Sequence, residues 1–292
     1  MFGFLKRLHS GAPSLRLDGA MLTDVGSVRQ GNEDSIAFVT AGSGERGESL
    51  VVVADGMGGH AAGEVASAMA VDAVRQVFFG SKGSIPARLA KALSSANRAI
   101  FDLAADDPQR QGMGTTCTVI AFDGARIFLG HVGDSRAYLL RKGQLNQLSQ
   151  DHTLVARMLR EGLLTPAQAK SHPQSNVITQ CVGTKPAIEP DVWRKGLKIA
   201  RGDRLVVCSD GLHGVVGDAR ICQIAAGANP REAAQELIAA AIAGGGPDNI
   251  SVGVFLAVSS NEPAKVLARD ASRSRTRPVD RLVEAHSEPP TI

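Results

Sequence analysis

The chain has 292 residues, of which 43% are hydrophobic and 21% charged, and its net charge is +3. That composition fits a soluble globular protein with a sizeable core, and so small an excess of charge calls for no nucleic-acid partner. Cys117, Cys181, Cys208 and Cys222 are far apart with no CxxC pair, which excludes a zinc knuckle or redox motif and fits free thiols in a reducing cytosol.

The N-terminus carries its charges after its apolar residues and has no long apolar core, so it is not read as a secretion signal. No apolar run approaches the ~18 residues of a membrane span. Residues 1–19 are expected to be a flexible leader. Ala20–Val28 reads as a strand, Arg29–Asp34 as a polar break, and Ser35–Thr40 as a second strand. After a Gly/Ser loop, Leu50–Ala54 is a buried strand running into Asp55-Gly-Met-Gly-Gly-His60. Val65, Met69, Ala73 and Val77, with Ala66, Ala70 and Val74 beside them, then mark one wide apolar face of a helix. A second helix opens near Pro86 and is lined by Leu89, Leu93, Ala96, Ile100 and Leu103.

The period then changes from about four to two. Thr115–Phe122 and Arg126–Val132 predict strands joined at Asp123-Gly124, and Arg136–Leu140 and Gln144–Leu148 a second hairpin. Residues 151–175 are polar and helical in short pieces. Asn176–Val182 and Val192–Ile199 look strand-like again. Asp203–Ser209 is another buried strand, ending in Asp210-Gly211. Asn229-Pro-Arg-Glu232 starts a helix that stops at Gly244, and Ile250–Val258 is a last strand. The polar, Arg/Ser-rich stretch 259–292 is read as a disordered tail. Hairpins outnumber strand–helix–strand units, so the expected class is α+β: a four-layer αββα sandwich of two antiparallel sheets between helices.

The acidic residues Glu33, Asp34, Asp55, Asp134, Asp210 and Asp248 all fall at strand ends or turns, several beside glycine. A cap or an Asx turn explains any one of them, but explains the repeated strand–Asp–Gly pattern less well. Gathered together, they form an oxygen-rich site suited to Mg²⁺ or Mn²⁺ rather than zinc, since neither His nor Cys clusters. No cysteine has Arg at the offset a cysteine phosphatase needs, and no P-loop is present.

Six motifs stand in order over residues 20–258: Arg29-x-x-Asn-Glu-Asp34, Ala54-Asp-Gly-Met-Gly-Gly-His60, Gly114-Thr-Thr116, Gly133-Asp-Ser-Arg136, Ser209-Asp-Gly211 and Gly246-Pro-Asp-Asn249. In these the chain resembles the metal-dependent protein phosphatases (the PPM or type 2C serine/threonine phosphatases), in particular their bacterial branch. The resemblance implies a catalytic domain over 20–258 with a flap at about 151–190, and two core Mn²⁺ or Mg²⁺ ions with a third, looser one. Asp55 would bridge the core pair. Asp210 and Asp248 would complete the first site, Glu33 and the Gly56 carbonyl the second, and Asp134 with Asp210 would hold the third. Asp34 would accept hydrogen bonds from metal-bound water, and Arg29 would clamp the substrate phosphate. The implied reaction is hydrolysis of phosphoserine and phosphothreonine proteins by a metal-bridging hydroxide, in a cytoplasmic monomer opposing a Ser/Thr kinase. A catalytically weak member acting as a phosphoprotein-binding regulatory module is the alternative, and the intact ligand positions weigh against it.

The sequence departs from many eukaryotic members at Met57, where they carry the histidine thought to protonate the leaving group. His60 is read as a helix-start or packing residue, which leaves a metal-bound water as the preferred proton donor. His152 and His172 are read by default as surface residues of the flap, with a role in substrate recognition as the alternative.

Overall fold

A computed structural model describes residues 15–41, 47–59, 61–170, 172–227 and 229–262. The first half contains β1 (Leu15–Asp24), β2 (Asp34–Thr40), β3 (Ser49–Met57), α1 (Ala61–Gly80) and α2 (Ile85–Asp106), followed by β4 (Gly114–Thr115), β5 (Cys117–Phe122), β6 (Arg126–Val132), β7 (Arg136–Arg141) and β8 (Gln144–Gln147). The second half contains α3 (Leu154–Arg160), α4 (Pro166–Lys170), β9 (Asp191–Val192), β10 (Leu197–Lys198), β11 (Arg204–Cys208), α5 (Asp210–His213), α6 (Asp218–Ala225), α7 (Pro230–Ala243) and β12 (Ile250–Ser259). One sheet has the order β1-β12-β11-β7-β8. The other runs β10-β6-β5-β3-β2, with β4 paired to β3 and β9 to β6. Every pairing is antiparallel.

Alternation along the strands builds the four layers. In β3, Leu50, Val52 and Ala54 pack with Ala66, Ala70, Leu89 and Leu93 of α1 and α2, while Val51 and Val53 point between the sheets. In β11, Leu205 and Val207 join the inter-sheet core, and Val206 and Cys208 face the cluster that holds Ile221 and Leu237 of α6 and α7. Burying each large aliphatic side chain contributes roughly 1.5–3 kcal/mol. The expected αββα sandwich is therefore the observed one.

Details differ. β1 begins at Leu15, inside the stretch read as leader, because Leu15 and Leu17 pack into the inter-sheet core while Arg16 and Asp18 form an ion pair at 3.6 Å. Asp34 opens β2 rather than interrupting a strand. The stripe Val65–Met69–Ala73–Val77 is only partly buried. The other edge of that face, Ala66, Ala70 and Val74, is fully packed and continues to Phe78. Asn176–Val182 is no strand and makes only the isolated bridges Thr153↔Ile178 and Thr115↔Val182. Val192–Ile199 is no continuous strand: it holds the second residue of β9 and all of β10, each two residues long. β12 carries the sheet on to Ser259, the first residue of the stretch read as tail. The readings of 1–14, His60 and 263–292 lie outside the described residues. No described helix is long and apolar enough to cross a membrane.

Candidate active site

The floor of the site is the end of β3. Asp55 stands opposite Asp34 in the β2–β3 ladder, and directly opposed residues project to the same face. The Asp55 backbone is held from β4 and the residue after it. Its N–H donates to Thr116 Oγ1 at 2.9 Å, and its C=O accepts from the Thr116 N–H and Thr115 Oγ1, both at 2.9 Å. The next residue must be glycine: a Cβ on Gly56 would lie 2.1 Å from the Gly63 carbonyl oxygen and 2.6 Å from that of Glu33. Three backbone segments thus meet at Gly56, which brings the Glu33 side chain over the first turn of α1.

The facing sheet supplies the other lip. Ser209, fully buried between β11 and α5, donates to Asp34 Oδ2 at 2.8 Å and accepts from the Ser251 N–H at 3.0 Å. Asp210 follows as the first residue of α5. Asp248 precedes β12, and its neighbour Asn249 ties this end to the β1–β2 loop. Asn249 accepts from the Glu33 N–H at 2.8 Å and donates to the carbonyls of Val25 and Gly31 at 3.0 and 2.9 Å. Asp134 lies in the crossing from β6 to β7. Ser135 beside it meets Thr116 Oγ1 at 2.7 Å, and the Asp134 carbonyl accepts from His213 Nε2 at 3.0 Å.

These elements enclose a cleft of about 480 Å³ lined by Arg29, Glu33, Asp55, Gly56, Asp134, Asp210 and Asp248, with Met57, Gly58 and Gly59 alongside and Asn176 and Ile178 from the insert. Of the eight sequence-predicted residues, seven line it. Asp34 is the exception and lies buried beneath, against Ser209. Asn176, Ile178, Asn249 and His213 were given no role by the sequence reading. Asn249 had a signal in its turn, Gly-Pro-Asp-Asn, whereas Asn176 and Ile178 had none, because their strand-like pattern gives no sign of a loop folded back over a cleft.

The electrostatics are lopsided. Burial, and then the charges of Asp34, Asp210, Asp134 and Asp248, push Asp55 well above the usual carboxylate range. Burial likewise raises Asp34 to about 7, with Asp210 and Asp248 adding to it against hydrogen bonds from Ser251 and Ser209. Asp134 rises to about 7 by burial and the proximity of Asp210 and Asp151. Burial and Asp248 raise Asp210. Arg29 is the single cation lining the cleft among the described residues. It donates to Asp248 Oδ2 at 2.7 Å with its side chain 48% exposed. Burial works against its charge, but Asp248, Glu33 and Asp55 outweigh that and hold it protonated.

As oriented, no three His, Cys, Asp or Glu side chains among the described residues form a closed metal cage, since Asp248 is turned to Arg29. The donor set nevertheless fits a hard divalent cation. It is all oxygen, and Asp134 Oδ1 and Asp210 Oδ1 are buried with no hydrogen-bond partner among the described residues. Buried carboxylate oxygens left this way are costly unless a cation or proton offsets them.

Comparison with known proteins identifies the family. The family model described as protein phosphatase 2C matches residues 26–239. The serine/threonine protein phosphatase PstP of Mycobacterium tuberculosis is 41% identical over 240 residues, covering 82% of this chain and 45% of that protein. The chain thus spans about half the length of PstP. Protein phosphatase PhpP of Streptococcus pneumoniae is 37% identical over 83% of this chain and 97% of its own length. Among solved structures, the catalytic domain of PstP in complex with two manganese ions matches with TM-score 0.73 and 39% identity over 84% of this chain and all of that one. The serine/threonine phosphatase of S. agalactiae matches with TM-score 0.76 and 35% identity, over 83% of this chain and 99% of that one.

Proposed function

Because this chain belongs to the protein phosphatase 2C family, we propose that it hydrolyses phosphoserine and phosphothreonine in proteins, with Mn²⁺ or Mg²⁺ as cofactor. One observation carries the reading: carboxylates from both sheets converge on one cleft, two of them with a buried oxygen that has no partner among the described residues, and one exposed arginine stands at its rim. Glu33, Asp55, the Gly56 carbonyl, Asp210 and Asp248 are the residues that would hold two core ions, with Asp134 and Asp210 for a third. When bound, such ions lower the pKa of a water and offset charge on phosphate oxygens.

The chain's own residues do the rest. Arg29 sits where its planar fork can take two oxygens of a phosphomonoester, and it stays charged throughout. Its bond to Asp248 keeps the guanidinium aimed across the cleft until an anion arrives. Asp34 Oδ1, buried and with no hydrogen-bond partner among the described residues, would accept from a water beneath the cleft. No histidine is among the described residues lining the cleft, and Met57 has no proton to give, so the leaving alkoxide takes its proton from water. The cleft is shallow and open enough for a phosphorylated loop, and the partner it implies is a Ser/Thr kinase acting on the same proteins in the cytoplasm.

The test is hydrolysis of p-nitrophenyl phosphate with Mn²⁺, with Mg²⁺ and with chelator, followed by a phosphopeptide library. We expect metal-dependent turnover and a strong preference for phosphoserine and phosphothreonine over phosphotyrosine. Folded protein inert with both metals would overturn the assignment.

A further inference from the structure

His152, read from the sequence as a surface residue of the flap, is instead joined at four points to two walls of the cleft. Both polar groups of Gly133, the residue before Asp134, end on it: the Gly133 N–H donates to His152 Nδ1 at 3.1 Å, and the Gly133 carbonyl accepts from the His152 N–H at 2.7 Å. The His152 carbonyl in turn accepts from the Thr179 N–H at 2.7 Å and from Thr179 Oγ1 at 3.0 Å. Alongside, the Leu154 N–H donates to Val177 O at 2.9 Å, and Thr153 bridges Ile178. The segment so suspended carries Asn176 and Ile178, the insert's contribution to the cleft.

The ring is locked as well. An N–H can donate only to an unprotonated nitrogen, so the imidazole proton resides on Nε2, where Asp191 Oδ2 accepts it at 3.2 Å. The turn it grips cannot relax on its other side. Gly133 has φ +107, and a Cβ there would lie 2.6 Å from Thr116. Among the described residues, Asp134 Oδ1 has no hydrogen-bond partner to help hold the turn.

We infer that His152 is a positioning residue that fixes the Asp134 turn and the Asn176–Ile178 wall relative to each other, so that ion site and phosphopeptide contact surface keep one register. The inference rests on the phosphatase reading above for its activity readout. The imidazole touches no reacting atom and acts through Gly133 and Thr179. Groups that orient metal-ligating residues typically change affinity or activity 10–100-fold when lost.

Two amide variants separate the ring nitrogens. An Asn oxygen sits one bond from Cγ, as Nδ1 does, so His152→Asn retains an acceptor for the Gly133 N–H. His152→Gln reaches toward Asp191 and loses that acceptor. We expect His152→Gln and His152→Ala to lower kcat/KM for a phosphothreonine peptide about 10–100-fold and His152→Asn to restore it to within about threefold of wild type. The loss should be larger on the peptide than on p-nitrophenyl phosphate, which is too small to lean on Asn176 and Ile178. Equal impairment of the Asn and Gln variants would overturn the role of Nδ1, and equal losses on both substrates would overturn the coupling of the two walls. Variants that melt lower yet turn over at wild-type rates when folded would reduce His152 to a structural residue and overturn the inference. Independently of activity, a long-range ¹H–¹⁵N spectrum of the wild-type protein should show Nε2 protonated and Nδ1 bare, and the opposite tautomer would remove the clasp. If wild-type protein shows no metal-dependent turnover, the phosphatase reading fails, and this spectrum still decides the geometry.

Discussion

A methyl group on Gly63 would lie 2.0 Å from Glu33 Oε2 and 3.0 Å from the Gly56 carbonyl carbon, in the first turn of α1. Alanine is the better helix former by roughly 1 kcal/mol, so the substitution favours the helix while it displaces the Glu33 carboxylate proposed to hold an ion. Gly63→Ala is therefore expected to lower kcat about 10–100-fold with little change in melting temperature, measured side by side on the same preparation. A large drop in melting with wild-type kcat would mean that Glu33 has no place in the site. A second residue-level prediction concerns His131, fully buried, with Nε2 donating to Gln150 O at 3.1 Å and Nδ1 at 2.9 Å from Thr118 Oγ1. Burial first, and then the His152 ring 5.0 Å away, lower it to about 4, against the opposing pull of Asp151 and Asp191. A histidine depressed in the folded state stabilises the fold above its unfolded pKa of about 6.5, and that contribution is lost as pH falls toward 4, because the unfolded chain binds the proton first. Between pH 7 and pH 5 this amounts to about 2 kcal/mol. Denaturant titrations at the two pH values should show that much more acid sensitivity in wild type than in His131→Gln, and equal sensitivity would remove His131 as the cause.

At the scale of elements, what the sequence makes legible is what period and turn chemistry encode. β3, α2 and the hairpin at Lys142-Gly143, where both residues have positive φ, follow directly from apolar runs, a Ser84–Pro86 start and a two-residue turn. The six acidic residues were also legible, since strand–Asp–Gly recurs along the chain. Illegible were α5, only four residues long, and the 176–182 segment, whose alternation reflects a loop lying over the cleft rather than a ladder. Equally hidden was the ion pair joining the start of β3 to α2. Arg88 meets Glu48 at 2.7 and 2.9 Å, with side chains only 5% and 9% exposed, and its guanidinium lies 4.3 Å from the Phe78 ring centroid. Forty residues separate the partners, so no local pattern announces them. Removing one member of such a pair leaves a buried charge unmatched, at a cost of about 3–5 kcal/mol. Glu48→Ala should lose that much in urea unfolding, and a loss below 1 kcal/mol would show that water reaches Arg88.

Over the whole molecule, the site is a joint between two sheets. Glu33, Asp34 and Asp55 come from β2, β3 and the loop before them; Asp210 and Asp248 come from the ends of β11 and β12; Asp134 lies where the chain passes from one sheet to the other. Repulsion among these carboxylates works against closure of the layers at this end, and a divalent cation would offset it, so ion binding and sandwich stability would be linked. Ion at a hundred times its dissociation constant stabilises the folded state by about 2.7 kcal/mol. Mn²⁺ is thus expected to raise the unfolding temperature of wild type and excess chelator to reverse the rise. Asp210→Ala gives the sharper test, because its two effects have opposite sign. Loss of a carboxylate that faces Asp55 and Asp248 relieves repulsion, so in chelator the variant should melt at or above wild type. If Asp210 holds ions as proposed, its loss should leave the variant with little gain from Mn²⁺ and no measurable turnover. A variant that melts lower than wild type in chelator, yet keeps the full Mn²⁺ shift, would place Asp210 in the packing of α5 rather than in the metal site.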